Sequence, residues 1–387
     1  MIRFTEILVA LPIFFAIYAY AVYPLILLLI ARAGKPPSPA RPPELPLVTI
    51  VIPAYDEEKQ IAGAIDALLA QDYPKDRLQI LILSDASTDR TDEIVRTYAS
   101  RGVELLRMPE RGGKTRAENA SAELLRGEIV VNTDASIRLH LSAVSELVAH
   151  MSDLKIGVAS GRDISVSEMP RAVNATEAGY VNYEMWVRSL ESRTGGIVGA
   201  SGSCYAIRTD LHKIQIPDEL SRDFCAALTA RLYGFRAVSV DSAICFVPST
   251  SSLKREYRRK VRTISRGMDT LYYRRELLDP TRYDAFAWKL ISHKLCRWAL
   301  PVSVIPAIAG LAILSRTHTW ATIVLIAGGA IALLALAGAT WPNRRPMPRV
   351  ISLAAFGVAA NLAVVNALWR VIHGHQDHVW EPTRRSA

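Results

Sequence analysis

Hydrophobic positions concentrate at the two ends of this chain and leave a long polar region between them. Residues 7–30 are apolar without an internal charge, which is about the length that crosses a membrane. Comparable apolar stretches lie at about 298–314, 320–339 and 350–372. Buried core helices are the alternative for these three, but three in a row with short basic connections favour membrane spans. A signal peptide fits the first stretch poorly, because it is too long and has no obvious cleavage site.

Within the polar region, short apolar runs alternate with stretches of helical spacing. Residues 47–53, 80–83 and 129–131 have the composition of strands that are buried on both faces. A polar turn follows each run, and the first two turns lead into helical patterns. This order predicts an α/β domain with a doubly wound, mostly parallel sheet. Ligands bind outside the carboxyl ends of such strands, where we expect Asp85 and Asp134.

The basic residues indicate an orientation in the membrane. The formal net charge is +9, yet no recognised nucleic-acid module or interleaving of aromatic and basic residues is present, so nucleic acid is not an expected partner. Many basic residues instead flank the apolar stretches, which favours contact with anionic lipids. Basic residues also follow the first span and separate the last two, which places the polar domain on the cytosolic side of an inner or plasma membrane. These residues are Arg32, Lys35, Arg41, Arg344, Arg345 and Arg349.

The cysteines carry no expected function. Their spacing contains no CxxC pair and no histidine spacing typical of zinc, so we expect reduced, buried thiols in a cytosolic domain. They are Cys204, Cys225, Cys245 and Cys296.

The pattern predicts six regions. They are a transmembrane helix at 1–31, a proline-rich linker at 32–46, an α/β domain at 47–252, basic interfacial helices at 253–295, three transmembrane helices at 296–373 and a tail at 374–387.

Three motifs in the polar domain resemble a known family. Residues 48–58, 83–91 and 111–119 resemble the opening motifs of family 2 glycosyltransferases with a GT-A fold. The flanking apolar helices make the chain most similar to the cellulose-synthase-like membrane branch, over residues 47–270. The resemblance implies a GT-A fold and an inverting hexosyl- or N-acetylhexosaminyltransferase. Its donor would be a nucleotide sugar, with a UDP-sugar favoured.

The resemblance places nucleotide contacts in these motifs. Glu57 and Asp85 would contact uridine, because a carboxylate accepts hydrogen bonds from uracil or ribose. Pro53 and Tyr55 belong to the same nucleotide-binding group, and Lys114 would face a phosphate. The alternatives are that the acids cap the following helices and that residues 111–116 form a plain solvated turn.

Asp134 stands at the first position of a motif that resembles the family's DxD, with Ser136 in place of the second acid. The resemblance implies that Asp134 and Ser136 bind a divalent cation, Mg²⁺ or Mn²⁺, which bridges the donor diphosphate. Because a serine hydroxyl is a neutral and weaker ligand, the metal affinity is expected to be lower than with two acids.

Asp223 occupies the place of the catalytic base in the family's ED motif, and Arg222 replaces the acid before it. Inverting transfer needs a carboxylate that takes the proton of the acceptor hydroxyl. A helix N-cap is the alternative role for Asp223. Gly202 and Ser203 lie in a Gly/Ser-rich turn that resembles the acceptor end of the cleft, although a purely structural turn is equally consistent.

Residues 253–275 are strongly basic, which is also typical of a helix that lies on anionic headgroups. By resemblance, Arg259 and Arg262 occupy the place of the family's QxxRW motif and would contact the diphosphate or acceptor. Thr263 replaces the tryptophan of that motif, which puts processive polymerisation in doubt.

The acceptor stays open at this stage. A lipid-linked glycan, a polyprenyl phosphate or a growing polysaccharide would each fit, with membrane lipids and subunits of a polysaccharide export system as further partners. A polyprenyl-phosphate sugar transferase is the nearest alternative function. A membrane scaffold or transporter with a degenerate nucleotide domain is the alternative from a different class. The candidate spans show no buried acid or basic pair of the kind that transport needs.

Overall fold

A computed structural model describes residues 2–33, 42, 44–166, 172–248, 253–342 and 347–375. Most of the expected proline-rich linker, Arg344, Arg345 and most of the tail lie outside these residues. The strands are β1 (Val48–Ala54), β2 (Leu78–Ser84), β3 (Val103–Arg107), β4 (Ile129–Thr133), β5 (Arg138–Leu139), β6 (Ile156–Val166), β7 (Cys204–Arg208) and β8 (Arg236–Pro248). The helices are α1 (Ile2–Ile17), α2 (Tyr23–Ala33), α3 (Ile61–Leu69), α4 (Thr91–Thr97), α5 (Lys114–Ala120), α6 (Ala143–Met151), α7 (Ala172–Arg193), α8 (Thr209–His212), α9 (Arg222–Leu232), α10 (Leu253–Tyr273), α11 (Pro280–Leu290), α12 (Cys296–Leu314), α13 (Thr319–Ala339) and α14 (Arg349–Ile372).

One eight-stranded sheet, in the order β3-β2-β1-β4-β7-β6-β8-β5, forms the centre of the polar domain. The pairs β1/β2, β2/β3, β1/β4 and β6/β8 are parallel, whereas β7 runs antiparallel to both of its neighbours. The predicted α/β class with a mostly parallel sheet is therefore confirmed. In register, Ala54 pairs with Ser84 and Val51 with Asn132. Asp85 and Asp134 consequently leave their strands at the same edge.

Apolar side chains pack on both faces of the sheet. Strand β1 is buried along its whole length. Its Ile50 and Ile52 belong to one hydrophobic cluster, which includes Ile65 of α3, while Val51 belongs to a second cluster with Ala227 of α9. Burying each such large side chain contributes about 1.5–3 kcal/mol, which explains why this continuous apolar run forms a central strand.

Four helices are long and apolar enough to cross a membrane, namely Phe4–Arg32, Pro280–Leu314, Thr319–Ala339 and Arg349–Ile372. Two of these include a five-residue π-helical turn, at Tyr18–Val22 and Ile291–Leu295. The second helix begins well before the predicted residue 298 and carries charged residues in its first half. Helix α1 packs against α12, and α13 packs against α14.

Helix α10 connects the polar domain to these apolar helices. It packs along α14, where Asn366 donates a hydrogen bond to the Tyr257 hydroxyl at 3.0 Å. The Lys260 ammonium lies 3.9 Å from the centroid of the Phe356 ring. Part of the basic face of α10 therefore contacts α14, in addition to any contact with lipid headgroups.

Candidate active site

Asp85 lies at the end of β2 and holds the loop before α5. Its side chain is buried, and its two carboxylate oxygens accept hydrogen bonds from the backbone N–H groups of Gly112 and Gly113, each at 2.8 Å. Gly113 has φ +91°, a conformation that glycine adopts without strain. Asp85 therefore does not cap α4, but its oxygens have lone pairs for a further donor, and the uridine contact stays a prediction.

The other predicted nucleotide residues surround the same strand end. Pro53 lies within β1, and Glu57 is nearly buried, with its N–H donating to Thr91 Oγ1 at 2.8 Å. The Arg111 guanidinium lies 3.7 Å from the centroid of the Tyr55 ring. This stacked pair makes a flat surface beside Asp85, and sequence reasoning did not identify Arg111 as part of it.

Lys114 and Asp134 join the ends of α5 and β4. The Lys114 ammonium lies 2.6 Å from Asp134 Oδ1, and both side chains are mostly buried. Burial opposes the charge of Lys114, but Asp134, Glu118 and Asp223 outweigh it and raise the pKa of Lys114. The lysine therefore keeps a positive charge inside the cleft, which excludes the plain solvated turn.

Asp134 and Ser136 occupy one turn after β4 and are both partly exposed. No group of three or more His, Cys, Asp or Glu side chains within the described residues could hold a metal by itself. A divalent cation at this turn would bind Asp134 and Ser136 and take its other ligands from phosphate oxygens and water. Mg²⁺ is commonly bound in this way, by one or two carboxylates plus substrate phosphates, so the residues fit such an ion.

Asp223 lies in the first turn of α9, directly beside the Gly/Ser turn. The N-cap residue is Ser221, whose hydroxyl donates to the Asp223 carboxylate. Asp223 is therefore not the N-cap. A Cβ atom at Gly202 would lie 2.7 Å from Asp223 Oδ2, so only glycine leaves room for this carboxylate. The carbonyl of Ser203 accepts a hydrogen bond from Thr133 Oγ1 at 2.8 Å, which ties the turn to β4.

Arg222 points away from Asp223 and into the protein. It donates to the His212 carbonyl at 2.9 Å and to Asn119 Oδ1, and its Nε lies 3.3 Å from Glu118 Oε2. Glu118 is fully buried, and this burial outweighs the attraction of Lys114 and Arg222, so the pKa of Glu118 is raised. Arg222 thus anchors the start of α9, and sequence reasoning missed its partner Glu118.

Helix α10 contributes arginines with different environments. Arg259 pairs with Glu256 at 2.9 and 2.7 Å, whereas Arg262 is half-buried. Arg266, one turn further, donates to Thr115 Oγ1 at 3.0 Å and to the carbonyls of Asp218 and Leu220. Arg266 therefore ties α10 to the loop before Asp223. Arg266 lies four residues after Arg262 and therefore on the same face of α10, which is the feature of the sequence that could have identified it.

A cavity of about 450 Å³ opens beside Asp223. Helices α7, α9, α10, α12 and α14 contribute its walls. Its lining includes Gly199, Phe224 and Lys294, together with apolar residues of the candidate spans, such as Phe356 and Val364.

Buried charges join α7 to the helix that begins at Pro280. His293 contacts Glu191 Oε1 at 2.6 Å through Nδ1 and Glu184 Oε1 at 2.7 Å through Nε2, while Arg297 Nη1 contacts Glu184 Oε2 at 2.6 Å. Burial would raise the pKa of Glu184, but His293 and Arg297 hold it well below its usual range. His293 and Arg297 precede the predicted span at 298–314 but belong to the longer helix Pro280–Leu314, and their partners come from distant α7.

A comparison with family models identifies the domain. Residues 49–214 match the model of glycosyl transferase family 2. The chain carries a family 2 glycosyltransferase domain. The glycosyltransferase predicted from the three motifs is confirmed.

Some individual relatives are similar to this chain over more residues than the family model matches. An N-acetylglucosaminyltransferase of Rhizobium meliloti is 25% identical over 309 residues, which are 73% of this chain and 70% of the relative. The probable glycosyltransferase YdaM of Bacillus subtilis is 34% identical over 125 residues, or 31% of this chain and 30% of YdaM. Among solved structures, the mannosyltransferase PcManGT from Pyrobaculum calidifontis, in complex with GDP-Man and Mn²⁺, has a TM-score of 0.72 at 22% identity. The similarity covers 94% of this chain and 99% of that one, and it shows a shared fold.

Proposed function

We propose that this glycosyltransferase is embedded in a membrane and transfers a sugar, with inversion, from a UDP-sugar to a membrane-associated or glycan acceptor. The observation that carries the proposal is the position of Asp223, between the Lys114–Asp134 pair on one side and the cavity of about 450 Å³ on the other. This arrangement separates a site for the donor diphosphate from a site for the acceptor, with one carboxylate between them. The N-acetylglucosaminyltransferase relatives favour N-acetylglucosamine as the transferred sugar.

In the proposed reaction, the acceptor oxygen attacks the anomeric carbon while the bond from that carbon to the diphosphate oxygen breaks. The proton of the acceptor hydroxyl moves to the Asp223 carboxylate, and the nucleoside diphosphate leaves with the electron pair. Lys114 places a positive charge beside the leaving group, where negative charge increases. Asp85, Glu57 and the Tyr55–Arg111 pair would orient the nucleoside.

We assign Asp134 and Ser136 to a Mg²⁺ or Mn²⁺ ion. When bound, the ion would supply positive charge to the donor diphosphate. Support comes from the exposed turn that holds both residues and from the Mn²⁺ in the PcManGT complex.

The four apolar helices favour a location in the inner or plasma membrane, and the basic residues that flank them favour a cytosolic catalytic domain. The cavity is lined partly by residues of these helices, such as Pro301 and Phe356, which supports access of the acceptor to Asp223 from the membrane side. This favours a transferase over a scaffold, since a degenerate domain has no need of a cavity that ends at a catalytic carboxylate.

The decisive test incubates the purified full-length protein in native-lipid membranes with UDP- and GDP-sugars plus Mg²⁺ or Mn²⁺. Nucleoside diphosphate release is then measured for the wild type and for Asp223→Asn. We expect release with one UDP-sugar, and a decrease of about 10²–10⁴-fold in the variant, because proton transfer by a positioned group typically contributes this factor.

Asp279→Asn is the matched control, because Asp279 caps α11 through the N–H of Thr281 and asparagine caps equally well. Full activity in Asp223→Asn would exclude Asp223 as the base and favour an acceptor that is already an anion, such as a polyprenyl phosphate. Absence of release with every donor would reject the proposed transferase activity.

A further inference from the structure

We propose that the cavity beside Asp223 binds a lipid acceptor through a phosphate group, which Arg188 and Lys294 hold. This inference deepens the proposed function and rests on it, because it names the chemical class of the acceptor.

The first observation concerns two cations at one end of the cavity. Arg188 of α7 is 6% exposed, and its guanidinium donates a hydrogen bond to the carbonyl of Gly199. Lys294 belongs to the π-helical turn before α12 and approaches the same glycine. If Gly199 carried a Cβ atom, that atom would lie 3.8 Å from Lys294 Cε. Two cations of separate helices thus meet at one residue, and both line the cavity.

The second observation is that neither cation has a directly paired acid. The acids of the cavity wall already have other partners, since Glu184 pairs with Arg297 and His293, and Glu256 pairs with Arg259. Asp163 accepts a hydrogen bond from Ser201, and Asp223 accepts one from Ser221. Within the described part of the chain, Arg188 and Lys294 form no ion pair, and the Lys294 ammonium lies 5.2 Å from the centroid of the Phe224 ring. Adjacent, sheltered positive charges are costly unless an anion compensates them.

The third observation is the lining of the cavity. Besides Gly199, it includes Trp298 and Pro301 of α12 and Phe356 and Val364 of α14. Its wall therefore combines charged side chains with apolar residues of the candidate spans. A ligand that matches such a wall has an anionic head and an apolar tail, which describes a membrane lipid.

The position of the cations relative to Asp223 limits the acceptor further. They meet at Gly199, whereas Asp223 contacts Gly202 in the same turn. Three Cα–Cα steps span at most about 11 Å, so the phosphate lies within about one hexose of the reacting oxygen. The accepting hydroxyl thus belongs to a group attached to the phosphate, close enough for its proton to reach Asp223.

The test measures lipid binding without any donor, using the purified full-length chain in dodecyl maltoside micelles, which contain no phosphate. Farnesyl phosphate, farnesol and inorganic phosphate are titrated, and the dissociation constant is obtained from tryptophan fluorescence. We expect farnesyl phosphate to bind at least about tenfold more tightly than farnesol, because charge-assisted hydrogen bonds add to burial of the tail. Inorganic phosphate should bind more weakly than farnesyl phosphate by a larger factor.

Arg188→Gln and Lys294→Gln should each reduce the affinity for farnesyl phosphate toward that for farnesol. Arg316→Gln removes an exposed cation beyond the end of α12 and should leave the affinity unchanged. Because Arg188 also holds Gly199, the Lys294 variant provides the test if the Arg188 variant does not fold.

Equal affinities of the wild type for farnesol and farnesyl phosphate would overturn the proposal. Equal affinities for inorganic phosphate and farnesyl phosphate would also overturn it, by assigning the cations to a free or donor phosphate. Lipid binding without nucleoside diphosphate release from any donor would reject the proposed transferase alone, whereas release without phosphate-dependent lipid binding would reject this inference alone.

Discussion

The donor edge of the sheet and the cavity beside Asp223 hold their charged side chains in different ways. At the donor edge, Asp85 follows β2 and Asp134 follows β4, on the two sides of β1. Their partners come from a single loop and helix start at residues 112–114. In the cavity, the charges come from α7, α10 and the helix that begins at Pro280, and most of them pair between helices that are far apart in the chain.

This difference has a functional consequence. The proposed donor site is a compact set of groups on one edge of the sheet. The proposed acceptor site depends on how the apolar helices pack against the domain, so small changes in that packing would change the acceptor that fits. Asp223 and Arg222 lie at the boundary, since one faces the cavity and the other anchors α9 to α5.

The largest effect is expected from Arg222→Met. This variant tests whether the buried ion pair between Arg222 and Glu118 stabilises the packing of α9 against α5. The change leaves Glu118 buried without its partner, and breaking such a pair costs about 3–5 kcal/mol. Thermal unfolding of the purified protein in detergent should show a large decrease in the midpoint. The additional change Glu118→Gln should restore part of the loss, and no recovery in the double variant would contradict this explanation.

The same variant has an expected pH dependence. Burial raises the pKa of Glu118 in the folded state, so the folded protein binds this proton more tightly than the unfolded chain does. The contribution of the protonated carboxyl to the free energy of unfolding is therefore lost as the pH rises through the raised pKa. Without Arg222 this pKa rises further. The stability deficit of Arg222→Met should therefore be smaller at acidic than at alkaline pH, and a constant deficit would mean that Glu118 does not titrate.

A smaller effect is expected from Gly202→Ala, which would move the Asp223 carboxylate, the proposed base, without removing it. The new Cβ would lie 2.7 Å from Asp223 Oδ2, and the side chain of Asp223 can rotate away at little cost in stability. Displacing a reacting group by about 1 Å can lower the rate by about 10²-fold. The measurement is kcat for nucleoside diphosphate release together with the thermal midpoint.

Gly179→Ala is the matched control, because a Cβ at this position in α7 would contact nothing within 4 Å. It should retain full activity. If Gly202→Ala is equally active, the contact between the Gly/Ser turn and Asp223 has no catalytic importance.

The smallest effect is expected from Ser136→Asp at the donor edge. A second carboxylate on the turn adds negative charge to the proposed metal site, and metal affinity increases with ligand charge. The Mn²⁺ concentration for half-maximal activity should fall by about tenfold. Ser142→Asp, at the N-cap of α6, is the control and should leave the Mn²⁺ dependence unchanged. Full activity of both proteins in excess EDTA would exclude a metal from the reaction.

Much of the fold followed from local patterns. The apolar runs predicted β1, β2 and β4, and the helical spacing after the first two runs predicted α3 and α4. The position of Asp85 and Asp134 at one sheet edge was also expected. The sequence did not predict that β7 runs antiparallel to its neighbours. Its direction depends on pairing with β4 and β6 rather than on its own residues.

The sequence by itself determined the family, the position of Asp85 and Asp134 at one sheet edge, and the number of apolar helices, because each depends on short runs of neighbouring residues. Only the tertiary structure decided that Asp85 binds the Gly112 and Gly113 amides, that Arg222 pairs with Glu118, and that Arg188 and Lys294 meet at Gly199. These contacts join residues that are about 10 to 100 positions apart, and no local pattern encodes a pairing between distant segments. Packing of the helices against the sheet creates them, and with them the cavity beside Asp223.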